Sequence, residues 1–138
     1  LMVLLLQTYL YCFNSFSQNP SFRSKLVNLC EALHCRVPEY TNIGEITVLD
    51  SQMVQNEDYS YQFSSTITNQ AQFSQPTPAI KLILVNFVGE VLAYRIFYTN
   101  DFSTGKQSDH IRSNETLEIN LQIAPIIELV GGYYFELV

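Results

Sequence analysis

Residues 79–99, AIKLILVNFVGEVLAYRIFYT, decide the class of fold. Ala79 to Val88 is a near-continuous apolar run, the pattern of a strand covered on both faces. Gly89-Glu90 makes a tight turn, and Val91 to Thr99 returns as the second arm of a hairpin. Hairpins build antiparallel sheet. Parallel pairing needs long crossover connections, and the strand-like segments here are joined by short ones.

Working outward, the same period-two pattern recurs. Tyr59 to Thr68 alternates, with Tyr59, Tyr61, Phe63, Ser65 and Ile67 on one face. Thr116 to Ile123 alternates again, with Leu117, Ile119, Leu121 and Ile123 inward. GEITVLDSQMV, residues 44–54, marks the first strand, and Gly131-Gly132 turns into a last strand, Tyr133 to Val138. Asn69 to Pro78 and Asn100 to Asn114 read as loops. The expectation over residues 39–138 is a mainly β fold, an antiparallel immunoglobulin-like β-sandwich of about six or seven strands.

Two segments precede it. LMVLLLQTYLYCF, residues 1–13, is apolar except for Gln7 and Thr8. It is too short to span a bilayer, which takes about 20 such residues. Its hydrophobic start and its closing Tyr9, Tyr11, Phe13 and Phe16 read as the end of a transmembrane helix completed upstream, dressed with interfacial aromatics. A helix packed on the domain core and a signal peptide are the competing readings, the latter without a basic n-region or small-residue cleavage site. Residues 1–18 are thus span end and linker, with Cys12 lipid-facing or interfacial. Residues 19–38, NPSFRSKLVNLCEALHCRVP, form a juxtamembrane helix. Asn19 caps it and Pro20 fits its first position. Phe22, Leu26, Leu29, Cys30 and Leu33 make one apolar face, and Pro38 ends the helix by about Val37. An amphipathic helix of this kind is expected to pack on a domain rather than cross a bilayer.

Composition narrows the function classes. Net charge is −6, and the seven Lys and Arg are dispersed, so a phosphate-binding footprint is missing and no nucleic-acid partner is expected. Cys30 and Cys35 sit at the helix end, where the sulfurs can meet once the helix unwinds. A disulfide is the favoured reading, and a pair of reduced buried thiols is the other. With His34 they fall one ligand short of a closed zinc site, so no metal or other cofactor is expected. Ser103-Thr104-Gly105-Lys106 lacks the spacing of a phosphate loop. Asp101 and His110 with a nearby Ser do not make a triad, because nothing in one polar loop holds them together. Glu115 and Glu118 show no sign of the burial an acid–base pair needs. No catalytic residue is assigned. In the loop Asn69 to Pro78, Gln72, Phe73 and Gln75 stand among prolines and are the candidate binding residues. Arg95, in a greasy strand, is expected to find a carboxylate or carbonyl partner.

One set of features carries a resemblance. Leu29-Cys30, Leu33, Cys35 and Pro38 precede Asn69, Phe73, Gln75, Pro78, Leu82, Leu84, Gly89, Arg95 and Phe97. In this the chain resembles the bacterial family named domain of unknown function 3426. The resemblance implies a domain on the periplasmic side of a single inner-membrane helix, with residues after about 14 in the periplasm. It also implies a cytoplasmic zinc-ribbon that often precedes the span. Two departures stand out: His34 where the family often has Gly, and TNDFSTG, with Phe102, where it often has a Pro-x-x-Tyr element. The functional expectation is a non-enzymatic, membrane-anchored β-sandwich domain contacting an envelope protein. The alternative is a sensor of small molecules or lipids coupled to the zinc-ribbon.

Overall fold

The computed structural model describes residues 1–102 and 109–138. Two helices come first, α1 (Met2–Ser17) and α2 (Pro20–Leu33), followed by a 3-10 turn at Ile43–Glu45. The strands are β1 (Ile46–Gln55), β2 (Tyr61–Asn69), β3 (Gln75–Pro76), β4 (Ile80–Val85) and β5 (Val91–Phe97). After a short helix α3 (Thr99–Phe102) come β6 (His110–Ile111), β7 (Thr116–Ile123) and β8 (Gly132–Leu137). The protein is mainly β, with antiparallel sheets and some helix.

Sheet order follows the alternation. One three-stranded sheet runs β1-β2-β7, another runs β5-β4-β8, and β3 pairs with β6 as a small ribbon. Every pairing among these strands is antiparallel. Phe63, Ile67, Leu117, Ile119 and Leu121 project from the first sheet into one core with Ile80, Leu82, Leu84 and Phe97 of the second. Phe63 meets Tyr133 and Phe135 edge-on across the gap, at centroid distances of 5.8 and 5.1 Å. Such contacts add about 0.5–1.5 kcal/mol beyond the area they bury.

The hairpin is shorter than its apolar run. Ala79 to Val88 is expected as strand throughout, yet β4 ends at Val85. The Asn86 side-chain oxygen accepts from the backbone N–H groups of Val88 and Glu90, a local turn that outcompetes the ladder. Gly89 supplies the positive φ (87°) that closes it. Phe87 and Val88 are therefore left exposed at the tip. The loop expected at Asn69 to Pro78 contains β3, and the one at Asn100 to Asn114 contains α3 and β6.

The helices also differ from expectation. α1 continues through residues 14–17, where a linker is expected; Ser17 Oγ donates to Asn14 O and closes the last turn. No helix among the described residues is long and apolar enough to cross a membrane. α1 reaches about 24 Å at 1.5 Å per residue, against about 30 Å of hydrocarbon. α2 starts as its cap predicts, with Asn19 Oδ1 accepting from Ser21 N, but ends at Leu33 with His34 left-handed (φ 56°). Its apolar stripe does not pack on the β-sheets. Phe22, Leu29 and Leu33 remain 45, 55 and 67% exposed, and only Cys30 is buried.

Candidate functional site

The helices meet the sheets at one joint, built around Asn69 at the end of β2. Asn69 is fully buried, and both ends of its amide are used. Its Nδ2 donates to the carbonyls of Phe73, Ile111 and Arg112, while its Oδ1 accepts from Ala71 N and from Gln75 Nε2. Gln75 is equally buried, and its Oε1 accepts from Asn42 N. These two amides tie β2, β3, β6 and the segment leading into β1 together.

Arg23 of α2 reaches onto this hub. Its Nη1 donates to Ser17 O at 3.0 Å and to Pro38 O at 2.7 Å. The guanidinium lies 5.6 Å from the Tyr40 ring centroid and 5.5 Å from that of Phe73. Burial draws the Arg23 guanidinium below its ordinary value, opposed by Tyr40 and Glu39. Tyr40 is buried, which pushes its phenol up, and its hydroxyl donates to Glu45 Oε2 at 2.9 Å. Glu39 Oε1 lies 2.6 Å from His110 Nε2. Gln18 donates to Glu39 O and accepts from Thr41 N. Every buried polar side-chain atom among the described residues has a hydrogen-bond partner. The arrangement does structural work: each titratable group is spent on a neighbour.

The candidate binding residues separate accordingly. Gln75 lies in the interior, Phe73 is held against Tyr40 and Arg23, and Gln72 alone of the three is exposed. Cys30 and Cys35 form a disulfide, with the sulfurs 2.06 Å apart, and Cys12 is a free, exposed thiol. Among the described residues there is no cluster of three potential metal ligands. Asp101 Oδ2 accepts from Tyr98 N, and Glu115 Oε2 accepts from Arg112. Ser103-Thr104-Gly105-Lys106 lies outside the described residues.

Arg95 corrects its expectation. It is exposed, and its guanidinium lies 5.0 Å from the Phe97 ring centroid instead of on a carboxylate. It borders a cleft of about 250 Å³ that also takes in Tyr94, Gln122 and Ile126. That volume falls below the range of about 300–1,000 Å³ typical of small-molecule sites.

From sequence, Tyr59, Tyr61, Tyr94, Tyr98, Tyr133 and Tyr134 read as a binding stripe or, more often, as half-buried sandwich core; two of them stand on the outer face of the second sheet. Ile83 in β4 stands opposite Tyr94 in β5 and Tyr134 in β8. Tyr94 is 66% exposed and Tyr134 47%, whereas Tyr133, one residue away, points into the core. Lys81 lies 5.3 Å from the Tyr94 ring. The outward Ile83 belongs to the near-continuous apolar run that reads as a strand covered on both faces.

Searches of curated proteins and of solved structures returned no match. A family profile, described as Protein of unknown function (DUF3426), matches residues 43–137. The helical residues that carry part of the sequence resemblance, Leu29 to Pro38, lie ahead of that span. The match takes in the 3-10 turn and every strand described above, well over half of the chain, and the chain therefore belongs to the DUF3426 family.

Proposed function

We propose that this is a membrane-anchored, periplasmic β-sandwich domain, immunoglobulin-like in topology, that makes protein contacts at the bacterial envelope and performs no chemistry. The strand orders β1-β2-β7 and β5-β4-β8 support the topology, since they follow the A-B-E and C′-C-F orders of an immunoglobulin sandwich. In the anchoring reading, α1 is the domain-proximal end of a transmembrane helix. Its support is that Leu4, Leu5, Leu6 and Leu10 are all exposed, an arrangement costly in water and favourable in lipid.

The observation that carries the contact reading is the Tyr94–Ile83–Tyr134 row. Exposed tyrosines over an apolar floor are the composition of a protein interface core. Between the sheets the Arg95 cleft is small, which favours a contact module over a sensor with a ligand pocket there.

The test uses the full-length parent in cells. In spheroplasts, external protease is expected to cut the domain; protection until lysis overturns the location. A photo-crosslinking residue in place of Tyr94 is expected to capture a discrete envelope protein. Capture no stronger than from Glu57, in the β1–β2 turn, overturns the contact face.

A further inference from the structure

α1 and α2 are joined by Gln18 and Asn19 alone and share a cleft. The cleft between them, about 470 Å³, is apolar and is lined on one side by Tyr9, Phe13 and Phe16 and on the other by Phe22, Leu26 and Leu29. Phe16 and Phe22 touch across it as rings, edge to face at 5.5 Å. The α2 stripe Phe22-Leu26-Leu29-Leu33 is thus a second large exposed apolar surface, continuous with that of α1. Its flank is held by the Arg23–Pro38 hydrogen bond and the Cys30–Cys35 bridge, which fix the direction the stripe faces.

We propose that α2 lies in the lipid–water interface, with this stripe set into the acyl chains and the cleft filled by lipid. The inference rests on the membrane reading of α1. Three observations choose lipid over a second copy of the chain. First, the apolar surface runs without a break from the aromatic end of α1 onto α2, as an interfacial aromatic belt does. Second, Lys25 borders the cleft, where its stem covers apolar surface and its ammonium reaches headgroup level. Third, the charge is divided. Residues 1–38 hold Arg23, Lys25 and Arg36 against Glu31, a net +2, whereas the whole chain is −6 and residues 39–138 therefore carry −8. The helical end is the one part of the chain suited to an anionic lipid surface, and the acidic body is repelled from it. An amphipathic helix with Lys or Arg beside an apolar face buries that face about 5–10 Å into the headgroup boundary.

The chain has no Trp, so one introduced Trp reports alone. The full chain is reconstituted into phosphatidylethanolamine–phosphatidylglycerol vesicles with brominated acyl chains. Single variants place the reporter on α1 (L4W), on the α2 stripe (L29W, and L33W as a second, more exposed position) and on the opposite face of α2 (S24W). L4W, L29W and L33W are expected to be quenched severalfold more than S24W. Quenching of L4W with L29W and L33W at the S24W level overturns the inference while leaving the membrane reading intact. No quenching at L4W either removes the membrane reading and this inference with it. Blue-shifted but unquenched stripe reporters that turn red on dilution with excess lipid mark a second copy on the stripe, which also overturns it.

Discussion

At the scale of single residues, Asn69 does the most. It ends β2 where a loop is expected to begin, and instead of packing it satisfies three carbonyls and two donors. Removing it strands buried groups, each worth about 1–3 kcal/mol unpaired. N69A is expected to cost about 3 kcal/mol in urea unfolding, far more than Q72A, whose side chain is exposed. The sequence places Asn69 and Gln75 in one proline-constrained loop. It does not show that the two amides pair, because a long-range hydrogen-bond network leaves no periodic trace. Gln72, Phe73 and Gln75 are adjacent in the chain and only the fold sorts them into surface, clamp and interior.

At the scale of elements, alternation is read well and helix placement less so. β7 falls on its expected residues, with Leu117, Ile119 and Leu121 buried, because a half-buried strand writes its environment into its period. β3 and β6 pair over two residues each, too few for any period to register. α2 is amphipathic as the sequence says, but amphipathicity does not name the phase that covers its apolar side. The helix ends at Leu33, inside the limit that Pro38 sets, because the chain turns left-handed at His34, and the Cys30–Cys35 bridge closes around that turn. A left-handed residue with a side chain is strained by about 1–2 kcal/mol, part of which Gly gives back in backbone entropy. H34G is accordingly expected to raise stability by about 0.5–1 kcal/mol by chemical denaturation with the disulfide intact. An equal loss would show that His34 makes a contact outweighing its strain.

At the scale of the whole molecule, the helices and sheets divide the work. All twelve buried residues of the core cluster lie at or beyond Ile46, so neither α1 nor α2 contributes to it. Residues 39–138 alone are expected to unfold cooperatively in urea with a β-type far-ultraviolet spectrum, less stable than the full chain by the loss of Arg23 from Tyr40 and Phe73. A broad, uncooperative transition would mean that the helices are part of the folding unit. The mainly β, antiparallel class with helices ahead of the strands is legible in the sequence. The outward tyrosine row is not, because a Tyr in a strand reads the same whether it faces core or partner, as Tyr133 and Tyr134 do side by side.

Gln18 holds the backbone of Glu39 and Thr41, Arg23 holds Ser17 and Pro38, and a disulfide closes the turn between them. With α1 in a bilayer, the domain is therefore mounted like a signpost and not flown like a kite. Its height and heading above the lipid would then be set before any partner arrived. On the proposed anchoring and contact face, a protein diffusing in the same plane would meet Tyr94 in one attitude with little tether entropy left to lose, so a small contact would hold it longer than its area suggests.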